Sequence, residues 1–199
     1  MADEMLLIAL GANLPFDGMP PDQTLILAFQ ALRQAGLSLL HVSPIYATPC
    51  FPAGAGPDYV NAAAAAPIPE GWDAPRTLAL LHAIETRFAR SRETRWGMRT
   101  LDLDLLAFGQ TIAPDRPGWQ AWHDLPPARQ RTEAPDRLIL PHPRLQDRAF
   151  VLVPLHDVAP LWAHPVTGLT VREMLAALPA ADRAEVRPHS PDSTLVKPG

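Results

Sequence analysis

Cysteine and lysine are almost absent from this chain. Cys50 is the only cysteine, which excludes a disulfide within the chain and a zinc site built from several thiolates. Of the 17 basic residues, Lys197 is the only lysine and the other 16 are arginines. A catalytic lysine outside the C-terminal tail is therefore excluded.

Strong net charge and long apolar runs are also lacking. The net charge is -4 and the pI is near 5.9, so we expect neither nucleic acid nor a membrane surface as a partner. The apolar run at 5–10 has only six residues and follows an acidic start. No run approaches the roughly 18 residues of a membrane span. We expect no signal peptide, a cytoplasmic location and one domain with appendages.

The most informative stretch is an alternation of leucine and aspartate. Leu101, Leu103 and Leu105 alternate with Asp102 and Asp104, the period of a half-buried strand. The leucines are therefore expected to face a core, with both carboxylates on the opposite face. At the usual strand rise, the two aspartate Cα atoms lie roughly 6.5–7 Å apart. Carboxylates this close repel each other unless cations lie between them.

Arginines are concentrated just before this strand, with Glu93 as the only acid within 87–99. They are Arg87, Arg90, Arg92, Arg95 and Arg99. Paired acids bind hard divalent cations, and guanidinium groups bind phosphate. Magnesium with a polyphosphate is a ligand that uses both. The simpler alternative is an acid pair on the solvent-facing side of an edge strand, neutralised by nearby arginines.

The apolar pattern along the chain predicts the order β-α-β-β-α-β. Strands are indicated at 5–10, 37–46 and 101–109, and helices at 20–36 and 73–88. The segment 59–66 lies between the second strand and the second helix and takes the place of the third strand in this order. The alanine run within 59–66 suits either a helix or a strand, and local sequence does not decide between them. The order is typical of a ferredoxin-like α+β fold, with helices packed on an antiparallel sheet.

The remaining segments are less regular. Residues 49–58 are a candidate mobile flap, and 111–137 are predicted to be an inserted loop with a short hairpin or turn. A short strand is expected at 138–140 and a short helix at 150–160. A capping box at Thr170 and Glu173 opens a last helix that ends at Leu178. From Pro179 onward we expect a disordered tail.

Five motifs, in this order, make the chain resemble the 6-hydroxymethyl-7,8-dihydropterin pyrophosphokinase family. They are Gly11-Ala12-Asn13-Leu14, Tyr46-Ala47-Thr48-Pro49, Asp58-Tyr59-Val60-Asn61-Ala62, Arg95-Trp96-Gly97-Met98-Arg99-Thr100-Leu101-Asp102-Leu103-Asp104, and Leu140-Pro141-His142 with Asp147-Arg148-Ala149-Phe150. The resemblance covers about residues 5–178 apart from the insertion. It implies a single pyrophosphokinase domain over 1–178, with C-terminal helical additions and 179–199 as the tail.

The resemblance implies transfer of the β,γ-pyrophosphoryl unit of ATP to the hydroxymethyl oxygen of a reduced pterin, which leaves AMP. Asp102 and Asp104 would hold two Mg²⁺ ions, with ATP as cosubstrate. Small molecules are then the expected partners, and we expect a monomer. No histidine or lysine stands out as the general base, so we expect a metal-lowered hydroxyl pKa, with an aspartate carboxylate as the proton acceptor.

The resemblance also implies roles for individual side chains. The residues implied to be catalytic are Arg90, Arg92, Arg99, Asp102 and Asp104. Those implied to bind ATP are Leu78, His82, Glu85, Leu105, His142 and Arg148. Those implied to bind the pterin are Thr48, Pro49, Phe51, Tyr59, Asn61, Trp96 and Phe150. A flat heterocycle requires such an aromatic slot with amide hydrogen bonds at its edge.

Some positions depart from the family pattern. Met98 stands where proline is usual, and Ala12 replaces a common serine. The arginine loop is one residue short, so the register of Arg90 and Arg92 can differ by one. A phosphohydrolase that uses the same acid pair, or a binding module without catalysis, are the alternatives. Neither needs Trp96 and Asn61 beside the acids.

Overall fold

The computed structural model describes residues 4–50, 56–88, 100–126, 129 and 132–190. Its strands are β1 (Met5–Ala12), β2 (His41–Val42), β3 (Tyr46–Thr48), β4 (Tyr59–Pro67), β5 (Asp102–Phe108) and β6 (Arg187–Pro188). Its helices are α1 (Pro21–Gln34), α2 (Ala74–Phe88), α3 (Arg116–His123), α4 (Ala149–Val158), α5 (Val171–Ala177) and α6 (Ala180–Glu185), with a 3-10 turn at Leu145–Asp147.

The strands within the described ranges form one antiparallel sheet in the order β5-β1-β4-β3-β6, with β2 also beside β4. The chain order β-α-β-β-α-β is present, because β2 and β3 together occupy the place of the second strand. The predicted ferredoxin-like α+β fold is confirmed. Among the strands that the structure describes, β5 pairs with β1 alone, so the strand that carries the two aspartates forms one edge of the sheet.

Two apolar clusters lie on opposite faces of the sheet. Leu6, Ile8 and Leu10 of β1 pack with the buried side chains of α1 and α2. Leu7 of β1 packs with the buried side chains of α4 and α5. Successive strand residues point to opposite faces, so the two clusters distinguish an α1/α2 face from an α4 face.

The alanine run proves to be strand, and the long second strand divides into two. Ala62, Ala63, Ala64 and Ala65 are at most 1% exposed, because helices cover both faces of β4. Small side chains allow this close approach, so tertiary packing overrides the helix preference of alanine. Residues 43–45 carry a proline and separate β2 from β3.

Several predicted elements are confirmed with small shifts of boundary. The capping box is present at the start of α5, where the Thr170 hydroxyl accepts from the Glu173 N–H and the Glu173 carboxylate accepts from the Thr170 N–H. The predicted helix at 150–160 is α4. The predicted strand at 138–140 is reduced to one bridge between Ala113 and Leu140.

The structure differs from the sequence prediction in two C-terminal regions. The insertion at 111–137, predicted to be a loop with a short hairpin or turn, contains the helix α3, whose Trp119 is only 1% exposed. Residues 180–188, predicted to begin a disordered tail, form α6 and β6, because β6 completes the edge of β3. No helix in the described part of the chain is long and apolar enough to cross a membrane.

Candidate active site

The two aspartates of β5 lie on the α4 face. Leu103 and Leu105 belong to the cluster on the α1/α2 face, so Asp102 and Asp104 point to the other side. Both aspartates are half-buried. The side chains of the pair are therefore on one face, as the alternation predicts, and this face is not the solvent-facing side of an uncovered sheet.

A glycine separates this acid pair from a buried amide. In the register of the sheet, Gly11 of β1 lies opposite Asp102 on one side and opposite Asn61 on the other. Adjacent strands are about 4.8 Å apart, so the backbones of Asp102 and Asn61 are separated by roughly 10 Å. A Cβ at position 11 would lie 3.3 Å from the Asn61 Oδ1. Gly11 therefore leaves an open strip of backbone between the carboxylates and the amide.

Asn61 is held in place from its other side. Its Nδ2 donates to the Thr48 Oγ1 at 2.8 Å, and both side chains are buried. The alternation of β4, with Val60 and Ala62 on the α1/α2 face, places Asn61 on the α4 face with the aspartates. Tyr59 is half-buried two residues before Asn61 and shares this face. The predicted pterin contacts Thr48, Tyr59 and Asn61 thus lie together.

An open cavity of about 190 Å³ adjoins this group at the sheet edge. Thr48, Pro49 and Asp58 line one part of it, and Glu185 and Arg187 from the C-terminal segment line the rest. The Asp58 Oδ1 accepts a hydrogen bond from the Cys50 N–H at 3.1 Å, which links these two residues directly.

His142 lies close enough to Asp102 to interact with its charge, in a segment whose backbone bonds to β5. Its backbone N–H donates to the Leu106 carbonyl at 2.8 Å, and its ring Nδ1 accepts from the backbone N–H of Arg144 at 3.2 Å. Burial and the charges of Arg148 and Arg144 lower the pKa of His142 to about 3, against the effect of Asp102. The ring is therefore neutral near pH 7, and because Nδ1 accepts, its proton is on Nε2. His142 offers a neutral N–H donor.

Arg148 lies beside the carboxylates at the start of α4. Burial lowers its pKa, and Asp104 and Asp102 act in the opposite direction. A guanidinium remains charged in proteins under these conditions. Its Cζ lies 5.7 Å from the centre of the Phe150 ring, a cation–π contact. Phe150 is 39% exposed, so one predicted pterin contact remains accessible next to this charge.

Glu85 is an internal support of β5. Its carboxylate is carried by α2, is 8% exposed, and accepts from the Leu103 N–H at 2.9 Å. Leu103 lies between the two aspartates, so this bond fixes the backbone that carries them. Glu85 is therefore not an ordinary solvent-facing helix acid, and its predicted contact with ATP stays a prediction.

The other predicted nucleotide contacts lie away from the α4 face. Leu105 is 4% exposed within the cluster on the α1/α2 face, and Leu78 packs against the same cluster. His82 is exposed on α2. A nucleotide bound at the aspartates would reach these residues only around the free edge of β5. Their nucleotide role stays a prediction. Phe51, Arg90, Arg92, Trp96 and Arg99 lie outside the described residues.

Three residues at this site were not assigned from the sequence. Gly11 stood out in the sequence only as a member of the first motif, since its place between Asp102 and Asn61 depends on strand register. Arg144, which ion-pairs with Asp147 at 3.3 Å, is two residues after His142. Trp119 lies in the insertion, and its Nε1 donates to the Pro141 carbonyl at 2.7 Å. Of these three residues, only Arg144 could have been assigned from the sequence, because it follows Pro141-His142-Pro143 directly.

The carboxylate pair suits magnesium. No cluster of three or more His, Cys, Asp or Glu side chains that could hold a metal occurs in the described ranges. The protein would therefore supply the two carboxylates of Asp102 and Asp104, leaving other coordination positions for phosphate oxygens and water. Magnesium usually binds in this way, through one or two carboxylates plus substrate phosphates.

Fold and site together define a ferredoxin-like α+β domain that carries an acid pair, a cationic group and a buried amide on one sheet face. Comparison with known proteins narrows this class. The family model of 7,8-dihydro-6-hydroxymethylpterin-pyrophosphokinase (HPPK) matches residues 7–160. The chain belongs to this family, and the resemblance drawn from the five motifs is confirmed.

Similar proteins agree with this assignment. A Pseudomonas aeruginosa protein named 2-amino-4-hydroxy-6-hydroxymethyldihydropteridine pyrophosphokinase is 37% identical over 177 residues, which cover 86% of this chain and 90% of that protein. A Synechocystis protein of the same name is 38% identical over 119 residues, which cover 60% of this chain but only 50% of the relative. The expectation that the chain is a member of an ATP-dependent pyrophosphokinase family is confirmed.

A solved structure supports the fold alone. Plasmodium falciparum HPPK-DHPS, crystallised with pteroate, superimposes with a TM-score of 0.60 at 12% identity. The superposition covers 86% of this chain and 44% of that chain.

Proposed function

We propose that this chain transfers the pyrophosphoryl group of ATP to the hydroxymethyl oxygen of 6-hydroxymethyl-7,8-dihydropterin, a step of folate biosynthesis. The hydroxymethyl oxygen attacks the β-phosphorus, and the bond from that phosphorus to the oxygen bridging the α-phosphorus breaks. AMP leaves with the bridging oxygen. The products are AMP and the pterin diphosphate, and one proton is released from the hydroxyl group.

The observation that carries the proposal is the row of Asp102, Gly11 and Asn61 across three strands. It provides carboxylates for a metal-bound phosphate at one end and an amide for a heterocycle edge at the other. The open strip over Gly11 separates them by roughly 10 Å, the scale of a bicyclic ring with its hydroxymethyl group. A phosphohydrolase has no need of the amide, and a binding module has no need of the acid pair.

Each end of the row has a distinct task. Asn61, oriented by Thr48, would bind the pterin edge, with Tyr59 and Phe150 beside the ring. Pro49, Phe51 and Trp96 would complete the slot. Arg148 and the neutral His142 would bind phosphate oxygens, the arginine by charge and the histidine through Nε2–H. Such transfers depend mainly on positioning and charge stabilisation, so these contacts are the chemistry that the chain must supply.

Asp102 and Asp104 would hold two Mg²⁺ ions with the triphosphate. When bound, these ions polarise the β-phosphate and lower the pKa of the attacking hydroxyl group. We assign acceptance of its proton to an aspartate carboxylate. Arg90, Arg92 and Arg99 would stabilise charge on the transferred group, and Glu85 would support β5 from behind. Leu78, His82 and Leu105 would border the adenosine at the β5 edge. We assign the activity to a monomeric, cytoplasmic protein, within the single domain predicted at 1–178, to which 180–188 add α6 and β6.

The test is ³¹P NMR of the protein with ATP, Mg²⁺ and the hydroxymethyl-dihydropterin. We expect the ATP resonances to be replaced by those of AMP and of a diphosphate ester. A control without the pterin should leave ATP intact. Formation of ADP, or of inorganic phosphate without the pterin, would contradict the proposal.

A further inference from the structure

The insertion helix α3 is joined to the loop that carries His142. Trp119 is 1% exposed, and its Nε1 donates to the Pro141 carbonyl at 2.7 Å. Pro141 directly precedes His142. The insertion is also tied to this loop where Ala113 and Leu140 exchange two backbone hydrogen bonds of 2.9 and 3.1 Å. The insertion therefore holds the chain immediately before the histidine.

Other contacts fix His142 itself. Its N–H donates to the Leu106 carbonyl, its carbonyl accepts from the Leu145 N–H at 3.0 Å, and its Nδ1 accepts from the Arg144 N–H. The backbone is therefore held on both sides of the ring and against β5, two residues beyond Asp104. The peptide group between Pro141 and His142 is held at both ends, because its N–H donates to Leu106 and its carbonyl accepts from the Trp119 indole.

Trp119 is itself firmly placed. The N-cap Asp115 accepts from the Gly118 N–H at 2.7 Å, and Arg116 donates to the Pro165 and Val166 carbonyls at 3.1 Å each. The indole stacks on His123 with ring centres 4.8 Å apart and meets the edge of His164 at 5.2 Å. A donor held this rigidly transmits its position to the group that accepts from it.

From these contacts we propose that Trp119 is a positioning residue, through which the insertion sets the His142 ring for nucleotide phosphate. The inference rests on the proposed function, because it takes His142 as a phosphate contact. Trp119 is only 1% exposed, so its indole would act through the Pro141 carbonyl and not by direct contact with the nucleotide. The insertion would then support the nucleotide site through the segment that carries His142.

Trp162 provides a matched control. It is also 1% exposed and also contacts His164, with ring centres 5.8 Å apart. Its Nε1 donates elsewhere, to the Gly109 carbonyl at 3.4 Å. Trp119→Phe and Trp162→Phe each remove one indole N–H donor from a tryptophan that contacts His164. Only the first change removes a hydrogen bond from the peptide group before His142.

The experiment measures the affinity of each variant for α,β-methylene-ATP with Mg²⁺ and, separately, for the pterin. We expect Trp119→Phe to weaken nucleotide binding between about threefold and tenfold, the range for one lost hydrogen bond. Pterin affinity and the nucleotide affinity of Trp162→Phe should stay within twofold of the unchanged protein. Equal losses in both variants, or none in Trp119→Phe, would overturn the inference.

Two further measurements keep the outcome clear. In the unchanged protein labelled with ¹⁵N-tryptophan, the nucleotide analogue should shift the indole resonance of Trp119 and leave that of Trp162 in place, since coupling is reciprocal. An unmoved Trp119 resonance would count against the inference even if the variants misfold.

His142→Ala should weaken nucleotide binding. If it does while Trp119→Phe does not, only the positioning role fails; if His142→Ala binds normally, the phosphate role of His142 fails with it. The ³¹P product test decides the overall reaction independently.

Discussion

Individual residues at this site act through what they leave open as well as through what they contact. Gly11 contributes no side chain, and the strip that it exposes joins Asp102 to Asn61. The Asn61 amide is oriented between two neighbours: its Nδ2 donates to Thr48 and its Oδ1 lies on the side of Gly11. A substitution at the glycine should therefore act on the heterocycle and leave the phosphates unaffected.

We predict that Gly11→Ala weakens pterin binding by about tenfold, because the new methyl group would lie 3.3 Å from the Asn61 Oδ1 and displace the amide. Calorimetric titration with the pterin measures this effect. Titration of the same variant with the nucleotide is the internal control and should give an unchanged affinity. A variant with normal pterin affinity would show that the ring does not lie over this strip.

For individual residues, the sequence predicted which side chains of one strand share a face. It did not predict which residues lie opposite each other on neighbouring strands. The alternation of Leu101 to Leu105 was enough to place Asp102 and Asp104 on one face, because it is a property of one strand. The row through Gly11 depends on the pairing of three strands that are distant in sequence. Asn61 and Gly11 belong to separate motifs of the sequence. Only the strand register shows that Gly11 lies between Asn61 and Asp102.

At the scale of elements, α2 and β5 form one unit behind the acid pair. β5 is an edge strand, and the Leu103 N–H would lack an acceptor on that edge without the Glu85 carboxylate. The helix thus supplies what a further strand would supply in the middle of a sheet. The two aspartates flank the residue held in this way.

We predict that Glu85→Ala lowers the free energy of unfolding by about 1–3 kcal/mol, the range for a buried donor left without its acceptor. Glu85→Gln keeps an oxygen acceptor in the same place and should lose much less. Urea denaturation followed by circular dichroism measures both. If the alanine variant is as stable as the glutamine variant, the support by Glu85 is not needed.

Element prediction succeeded where the pattern was local and strong. Helices α1 and α2 follow from their apolar stripes, and α5 from its capping box. The alanine strand β4 required knowledge of its neighbours, since alanine alone favours helix. The burial of α3 was missed because the prolines and charges around it resemble a surface loop.

Across the whole molecule, the C-terminal segment closes the side of the sheet opposite β5. β6 pairs with β3, and the His189 N–H donates to the Ile45 carbonyl at 2.8 Å. The His189 ring also lies 3.6 Å from the Asp22 carboxylate at the start of α1. Composition suggested disorder here, but an unpaired edge strand is a strong template for a short segment of any composition. Residues 191–199 lie outside the described residues.

A buried histidine couples overall stability to pH. His164 is fully buried between Trp119 and Trp162, and its Nδ1 accepts from the Val166 N–H at 3.2 Å. Burial, with the nearby His123, lowers the pKa of His164 from 6.5 to about 4. Between these values the unfolded chain binds a proton that the native protein does not. The native state is therefore progressively destabilised as the pH falls through this interval.

We predict that the free energy of unfolding falls by up to about 1.4 kcal/mol per pH unit between pH 6 and pH 4.5 through His164 alone. His164→Asn, which keeps an acceptor for the Val166 N–H, should flatten this dependence. His41→Asn, at an exposed histidine, should leave it unchanged. Urea midpoints measured across the interval decide the matter, and an equal slope in all three proteins would contradict this origin.

The most direct test of the account is calorimetric binding of α,β-methylene-ATP with and without Mg²⁺, in the unchanged protein and in Asp104→Asn. Asp136→Asn, at an exposed aspartate beside Arg137, is the matched control. We predict that Mg²⁺ strengthens nucleotide binding at least tenfold in the unchanged protein and the control, and that Asp104→Asn loses this gain. Full retention of the Mg²⁺-dependent gain in Asp104→Asn would contradict it.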